Sequence, residues 1–155
     1  MALIEEGKKA PDFKLASSAG GEVSLKDLRG KIVVVYFYPK DDTPGCTREA
    51  CAFRDSQAAL KRRGVVVLGI SGDSLASHEK FRDKYDLNFP LLSDPDKAVA
   101  KKYGAWGEKV MYGKKTVGMI RSTFVIDGAG VVRKVFPRVK VDGHAEQVLE
   151  AVKAL

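Results

Sequence analysis

Two cysteines, Cys46 and Cys51, lie five residues apart and are the only ones in the chain. Cys46 follows Thr43 and Pro44, residues that suit a helix N-cap and the first helical position. This order predicts that Cys46 lies in the first turn of a helix. There, free backbone N–H groups and the positive end of the helix dipole favour an anion. We therefore expect Cys46 to act as a thiolate, the nucleophilic form of cysteine.

The environment of the Cys46 sulfur can be read from the helical period. Cys46, Ala50, Phe53 and Leu60 fall on one stripe, which should face the sheet and leave the sulfur partly buried. Because burial disfavours an anion, a cation must lie nearby. Arg121 opens a later strand that we pair beside the central one, and a guanidinium stays charged when partly buried. Arg121 is thus the expected partner.

The spacing of the two cysteines limits how they can react with each other. Five helical residues separate their Cα atoms by about 8.6 Å, whereas a disulfide requires roughly 7 Å or less. Cys46 and Cys51 can therefore form a bond only if the first turns of the helix unwind. Inert core cysteines are the alternative interpretation.

A zinc site is disfavoured and no metal is expected, because only His78 and His144 could complete it and neither has paired spacing. We expect His78 to be a structural histidine with satisfied hydrogen bonds and His144 to be a surface residue.

The elements that must position these residues follow from hydrophobic periodicity and turn signals. Strands are predicted at 13–15 and 23–25 (an N-terminal hairpin), 31–38, 64–70, 90–92, 121–126 and 131–136. Helices are predicted at 44–61, 75–85, 95–104 (capped by Asp94) and 144–155, and the segment 104–115 stays unassigned. This order resembles the thioredoxin-like α/β fold: a central mixed β-sheet flanked by helices, here with an N-terminal β-hairpin extension. One domain, 1–155, is the simplest account.

Composition and charge exclude several classes of protein. The chain has 155 residues, 45% hydrophobic and 30% charged, with a net charge of +7, which is typical of a globular domain. The apolar run 32–38 is too short to span a membrane, and the N-terminus lacks a signal-peptide pattern. We expect a cytoplasmic protein.

The segment 101–140 carries ten basic and two acidic residues, but no nucleic-acid-binding motif, so we expect a solvated basic surface and no nucleic-acid partner.

The pattern Pro39-x-x-x-Thr43-x-x-Cys46, together with the distant Arg121, resembles the active-site motif of the peroxiredoxins. The close pair Cys46 and Cys51 resembles the subgroup known as bacterioferritin-comigratory protein (BCP) or PrxQ. Segments similar to that subgroup recur at 69–74, 89–94, 121–127 and 140–145, so the resemblance covers roughly residues 8 to 155.

This resemblance implies a thioredoxin-dependent thiol peroxidase, an atypical two-cysteine peroxiredoxin. Cys46 would attack hydrogen peroxide or an organic hydroperoxide and become a sulfenic acid. Cys51 would resolve it as an intramolecular disulfide, which thioredoxin or a similar dithiol would reduce. The resemblance implies no cofactor, and local resolution would allow a monomer. A general thiol-disulfide oxidoreductase or redox sensor is the alternative function.

The remaining site residues follow from the same resemblance. Pro39 would shield the sulfur from water, and the Thr43 hydroxyl would contact the peroxide. The first-turn backbone at Gly45 and the Arg121 guanidinium would bind the substrate and stabilise the charge that develops on the leaving oxygen. Glu49 lies one turn after Cys46. From the sequence it either orients Arg121 or is solvated.

Overall fold

A seven-stranded mixed sheet forms the centre of the molecule, in a computed structural model that describes residues 3–111 and 113–155. The strands are β1 (Lys14–Ser17), β2 (Glu22–Ser24), β3 (Ile32–Phe37), β4 (Val65–Ser71), β5 (Leu91–Ser93), β6 (Trp106–Met111), β7 (Lys114–Met119), β8 (Ser122–Ile126) and β9 (Val132–Phe136). The helices are α1 (Pro44–Asp55), α2 (Gln57–Arg62), α3 (Leu75–Tyr85), α4 (Ala98–Tyr103) and α5 (His144–Lys153).

The order of strands across the sheet is β2-β1-β5-β4-β3-β8-β9. β3 runs parallel to β4, and β4 parallel to β5, whereas β8 and β9 continue the sheet in antiparallel pairing. The N-terminal hairpin of β1 and β2 extends the other edge, where β1 pairs antiparallel with β5. This topology confirms the predicted thioredoxin-like fold and its added hairpin.

The hydrophobic core lies on both faces of the sheet because β3 is apolar at every position. Val33, Val35 and Phe37 belong to one cluster, and Val34 and Tyr36 belong to the other. Side chains alternate between the faces of a strand, so a run that is apolar at both parities must be covered on both sides. Helix α4 contributes to the first cluster, and α1, α2, α3 and α5 contribute to the second.

The helix predicted at 44–61 is divided into α1 and α2 at Ser56. The Ser56 N–H is shared between the carbonyls of Ala52 and Phe53, a three-centre bond common at helix ends. The predicted apolar stripe is nevertheless buried along its whole length, from Cys46 to Leu60. The helical face that carries Cys46 therefore faces the sheet.

The predicted helix 95–104 begins later than expected, at Ala98. Lys97 has a left-handed backbone conformation with a φ of 62°, which interrupts a right-handed helix. Asp94 still caps the helix, since its carboxylate accepts the N–H groups of Val99 and Ala100. The helix ends at Gly104, as predicted, in the left-handed conformation usual for this position.

The unassigned segment 104–115 contributes to a two-stranded ribbon of β6 and β7, separate from the main sheet. Its side chains are largely exposed, including Val110 at 70% and Val117 at 60%, so no buried face gave a strand signal. Among the described residues, no helix combines the length and apolar composition that crossing a membrane requires.

Candidate active site

The site is built where β3 ends and α1 begins. Thr43 occupies the N-cap position with an extended backbone, and Cys46 is the third helical residue, as predicted. The Thr43 hydroxyl does not cap the helix but donates to the Lys40 carbonyl at 2.8 Å. The first N–H groups of a helix have no acceptor within it. Those of Gly45 and Cys46 therefore belong to a turn suited to an anion.

Arg121 reaches this turn through the register of the sheet. β8 is antiparallel to β3, and Phe37, the last residue of β3, lies opposite Ser122. Arg121 therefore lies beside the point where the chain leaves β3. Its Nη2 donates to Cys46 Sγ at 3.3 Å, so the structure brings together the sulfur and the cation that the sequence paired.

Glu49 forms the other contact of the guanidinium, which settles the alternatives left open by the sequence in favour of contact with Arg121. Arg121 Nη1 donates to Glu49 Oε1 at 2.6 Å, and the side chains are 18% and 1% exposed. Burial raises the pKa of Glu49 to about 7, although Arg121 opposes that rise. Burial also opposes the charge of Arg121, but Glu49 and Cys46 hold its pKa above the ordinary value.

Gly45 lies in close contact with Arg121. A Cβ at this position would lie 3.2 Å from Arg121 Nη2, tighter than ordinary van der Waals contact. Pro39 lies half-buried in the loop before the helix. Of the predicted residues, Gly45 and Arg121 thus lie against each other at the first turn of α1, with Thr43 at its N-cap.

Cys51 lies on the same helix but away from this turn. It is half-buried, whereas Cys46 is buried, and both are free thiols. Both residues belong to the continuous helix α1, so their Cα atoms are about 8.6 Å apart by helical geometry. The structure thus holds the two cysteines in the reduced arrangement.

Sequence reasoning missed a second cation, Lys109. It lies on β6, in the segment that had no assignment, and its ammonium donates to the Met119 carbonyl at 2.9 Å. Burial lowers the pKa of Lys109, while the negative charge of Cys46 acts in the opposite direction. Lys109 is therefore a second cation whose charge is felt at Cys46.

The prediction for His78 is confirmed, and the prediction for His144 is wrong. His78 is buried and both ring nitrogens have partners, Asp41 and the Leu92 carbonyl, as expected of a structural histidine. His144 was expected on the surface but is 1% exposed. Its Nε2 lies 2.7 Å from the Thr123 hydroxyl, and burial lowers its pKa. The first turn of α5 therefore packs against the sheet.

Comparison with known proteins gives one consistent result. The family model for AhpC/TSA matches residues 6–135. A Bcp protein of Coxiella burnetii is 55% identical over 146 residues, which are 94% of this chain and 97% of that protein. Peroxiredoxin Bcp of Escherichia coli is 45% identical over 153 residues, 99% and 98% of the two chains.

A solved structure agrees with the sequence relatives. The bacterioferritin comigratory protein of Xanthomonas campestris superposes with a TM-score of 0.87 at 42% identity. The match covers 92% of this chain and 90% of that one. Because the family model and the relatives span nearly the whole sequence, the chain belongs to the AhpC/TSA family, among the Bcp/PrxQ peroxiredoxins.

Proposed function

We propose that this chain reduces hydroperoxides, with Cys46 as the peroxidatic cysteine. The observation that carries the proposal is the geometry of Arg121, which donates one nitrogen to Cys46 Sγ at 3.3 Å and another to Glu49 at 2.6 Å. A guanidinium held in this way stabilises a thiolate and leaves little freedom for the cation to move away.

The first step transfers one oxygen atom to sulfur. The Cys46 thiolate attacks the terminal oxygen of the hydroperoxide, an S–O bond forms and the O–O bond breaks. The products are a sulfenic acid and an alkoxide or hydroxide, which takes a proton from water to become an alcohol or water. Negative charge moves from sulfur to the leaving oxygen, so the Arg121 guanidinium and the first-turn N–H groups stabilise both ends of the reaction.

The neighbouring residues shape access to the sulfur. The Thr43 hydroxyl donates to the Lys40 carbonyl. Its oxygen keeps lone pairs that can accept a hydrogen bond from the peroxide O–H. Pro39 is half-buried in the loop before the helix, and we assign it the role of shielding the sulfur from water. Gly45 leaves the space in which substrate and guanidinium meet, because a side chain there would press on Arg121.

The second step requires a change of structure. The Cys51 thiol condenses with the Cys46 sulfenic acid, which forms a disulfide and releases water. Because both residues lie in α1, the first turns must unwind before the sulfurs meet, a local-unfolding step of the kind seen in switching proteins. Pro44 and Gly45 begin this helix, and Gly favours the unfolded chain.

A dithiol protein such as thioredoxin then reduces the disulfide and restores the two thiols. The chemistry is complete within one chain, which supports a monomer. Organic hydroperoxides are included as substrates because alkyl peroxide reduction is the activity named for the Xanthomonas campestris relative. Hydrogen peroxide is the smallest molecule with the same reactive O–O bond.

Mass spectrometry after one equivalent of hydrogen peroxide tests the proposal. The reduced protein should form a Cys46–Cys51 disulfide, and the Cys51→Ser variant should hold a sulfenic acid on Cys46, trapped with dimedone. The Cys46→Ser variant is the matched control and should stay unmodified at Cys51. Oxidation that prefers Cys51, or equal oxidation at both positions, would refute the assignment.

A further inference from the structure

A buried polar cluster lies directly beneath the loop that leads to Cys46. The Asp41 carboxylate accepts hydrogen bonds from the hydroxyls of Tyr38 at 2.6 Å and Ser77 at 2.8 Å. Its Oδ2 also lies 2.7 Å from His78 Nδ1, and the two side chains are only 3% and 0% exposed. The cluster joins the loop, through Asp41, to the first turns of α3.

Hydrogen-bond chemistry determines how many protons this cluster holds. His78 Nε2 lies 2.9 Å from the Leu92 carbonyl oxygen, which can only accept, so Nε2 carries a proton. Nδ1 faces a carboxylate oxygen of Asp41, and two lone pairs cannot face each other at 2.7 Å. One further proton therefore lies between His78 and Asp41, bonded either to Nδ1 or to the carboxylate oxygen. The pair is neutral as a whole, which suits a buried site.

Asp73 completes the cluster through its Oδ2 atom. Asp73, Asp41 and His78 could in principle surround a cation. However, Asp73 Oδ2 accepts the Ser71 hydroxyl at 2.7 Å and the Asp41 backbone N–H at 2.8 Å. With both nitrogens of His78 also bonded to protein atoms, these atoms serve a hydrogen-bond network rather than a metal ion.

The network holds one end of the loop and leaves the other end less restrained. Asp41 is bound through both its backbone and its carboxylate, and Asp42 binds Lys84 and Tyr85, each at 2.7 Å. In contrast, the Thr43 hydroxyl bonds only within its own loop, and the next residue, Pro44, is exposed. The restrained part of the loop therefore ends at Asp42, and the less restrained part begins at Thr43.

We propose that Asp41 and His78 are positioning residues: their shared proton clamps residues 38–42 to α3 and β5 while α1 unwinds from Thr43 onward. The clamp keeps Pro39 in place during oxidation of Cys46 and gives the unwinding segment a fixed origin. This inference rests on the proposed function, because it assigns a purpose to the motion that joins the two cysteines.

Two variants of His78 separate its two hydrogen bonds. An Asn amide reaches approximately where Nδ1 lies and can donate to Asp41, whereas a Gln amide reaches approximately where Nε2 lies and can donate to Leu92. We expect His78→Gln to slow both Cys46 oxidation and disulfide formation by about tenfold or more, since misplaced reacting groups can cost up to a hundredfold. His78→Asn should recover most of both rates. Equal losses in both variants, or none, would overturn the proposal.

A buried aspartate elsewhere serves as the matched control. Asp94 is as buried as Asp41 and accepts two backbone N–H groups at the start of α4. Asp41→Asn should slow the two steps as His78→Gln does, and combining these two substitutions should add little, because they break one interaction. Asp94→Asn should lower the stability but leave both rates unchanged. Additive effects of the first two substitutions would contradict a shared clamp.

Nuclear magnetic resonance tests whether the clamp persists when α1 unwinds. With only two histidines in the chain, a His144 variant identifies the ring signals of His78. Both ring protons of His78 should exchange slowly in the reduced and in the disulfide form. Loss of the proton shared with Asp41 on oxidation would overturn the proposal. An inactive wild-type protein would instead refute the proposed function itself, so the two failures are distinguishable.

Discussion

Substitution of Glu49 by Gln should change how the stability of the protein depends on pH. The folded protein buries this carboxyl with 1% exposure, and burial raises its pKa from 4.5 to about 7 against the opposing pull of Arg121. In the unfolded chain the carboxyl ionises near its ordinary value. Between these two values the folded state binds more protons than the unfolded state.

The sign and size of the effect follow from this difference. Below about pH 4.5 Glu49 is protonated in both states, and the stability from its neutral form is fully present. That stability is lost as the pH rises to about 7, and it stays lost above that value. The change in pKa corresponds to about 3 kcal/mol. A Gln side chain stays neutral, can still accept from Arg121 and does not show this loss.

Urea unfolding of the two proteins across the pH range is the assay. Both carry Cys46→Ser, so that the thiol does not titrate, and all other groups cancel in the difference. The free energy of unfolding of Glu49→Gln, relative to its parent, should rise by about 3 kcal/mol between about pH 4 and about pH 8. The exposed Glu146→Gln is the control and should show no rise of this size, because burial of the carboxyl is the cause under test. Parallel curves for Glu49→Gln, or a difference of the opposite sign, would refute the reasoning.

Further substitutions test the contacts around the sulfur. Arg121→Met should slow alkylation of Cys46 by iodoacetamide at neutral pH by about tenfold or more, and Arg121→Lys should fall between, because Lys lacks the planar fork that reaches two acceptors. Equal rates in all three would remove Arg121 from thiolate stabilisation. Gly45→Ala should displace the guanidinium, since its Cβ would lie 3.2 Å from Nη2, and should slow peroxide oxidation while the fold persists by circular dichroism. Cys51→Ser should leave the first oxidation intact but stall turnover with a dithiol reductant; normal turnover would contradict the resolving role.

The parts of the site that the sequence predicts are those determined by local patterns. The start of α1 follows from Thr43 and Pro44, whose backbone preferences act within one turn. β3 follows from its continuous apolar run. Arg121 was found because it was predicted to open a strand. It lies immediately before β8, and the antiparallel register of β8 with β3 places it beside the end of β3.

The parts that could not be predicted depend on contacts between distant segments. Glu49 is buried against Arg121, which lies 72 residues away in the sequence. Because the partner is so distant, nothing near Glu49 in the sequence shows that it is buried. His144 is buried because its ring packs edge-on against Phe53 and Phe136, with centroids 6.0 and 5.1 Å away. The ribbon of β6 and β7 escaped assignment because its exposed side chains show no apolar periodicity.

The rate at which hydrogen peroxide oxidises Cys46 tests the central claim most directly. Quenched-flow mixing at neutral pH, followed by alkylation and mass spectrometry, measures this rate for the wild-type protein and for Arg121→Met. Activation by a preorganised cation predicts a second-order rate constant at least about a thousandfold above that of free cysteine, and most of this advantage should be lost in Arg121→Met. A wild-type rate no greater than that of free cysteine would contradict the account.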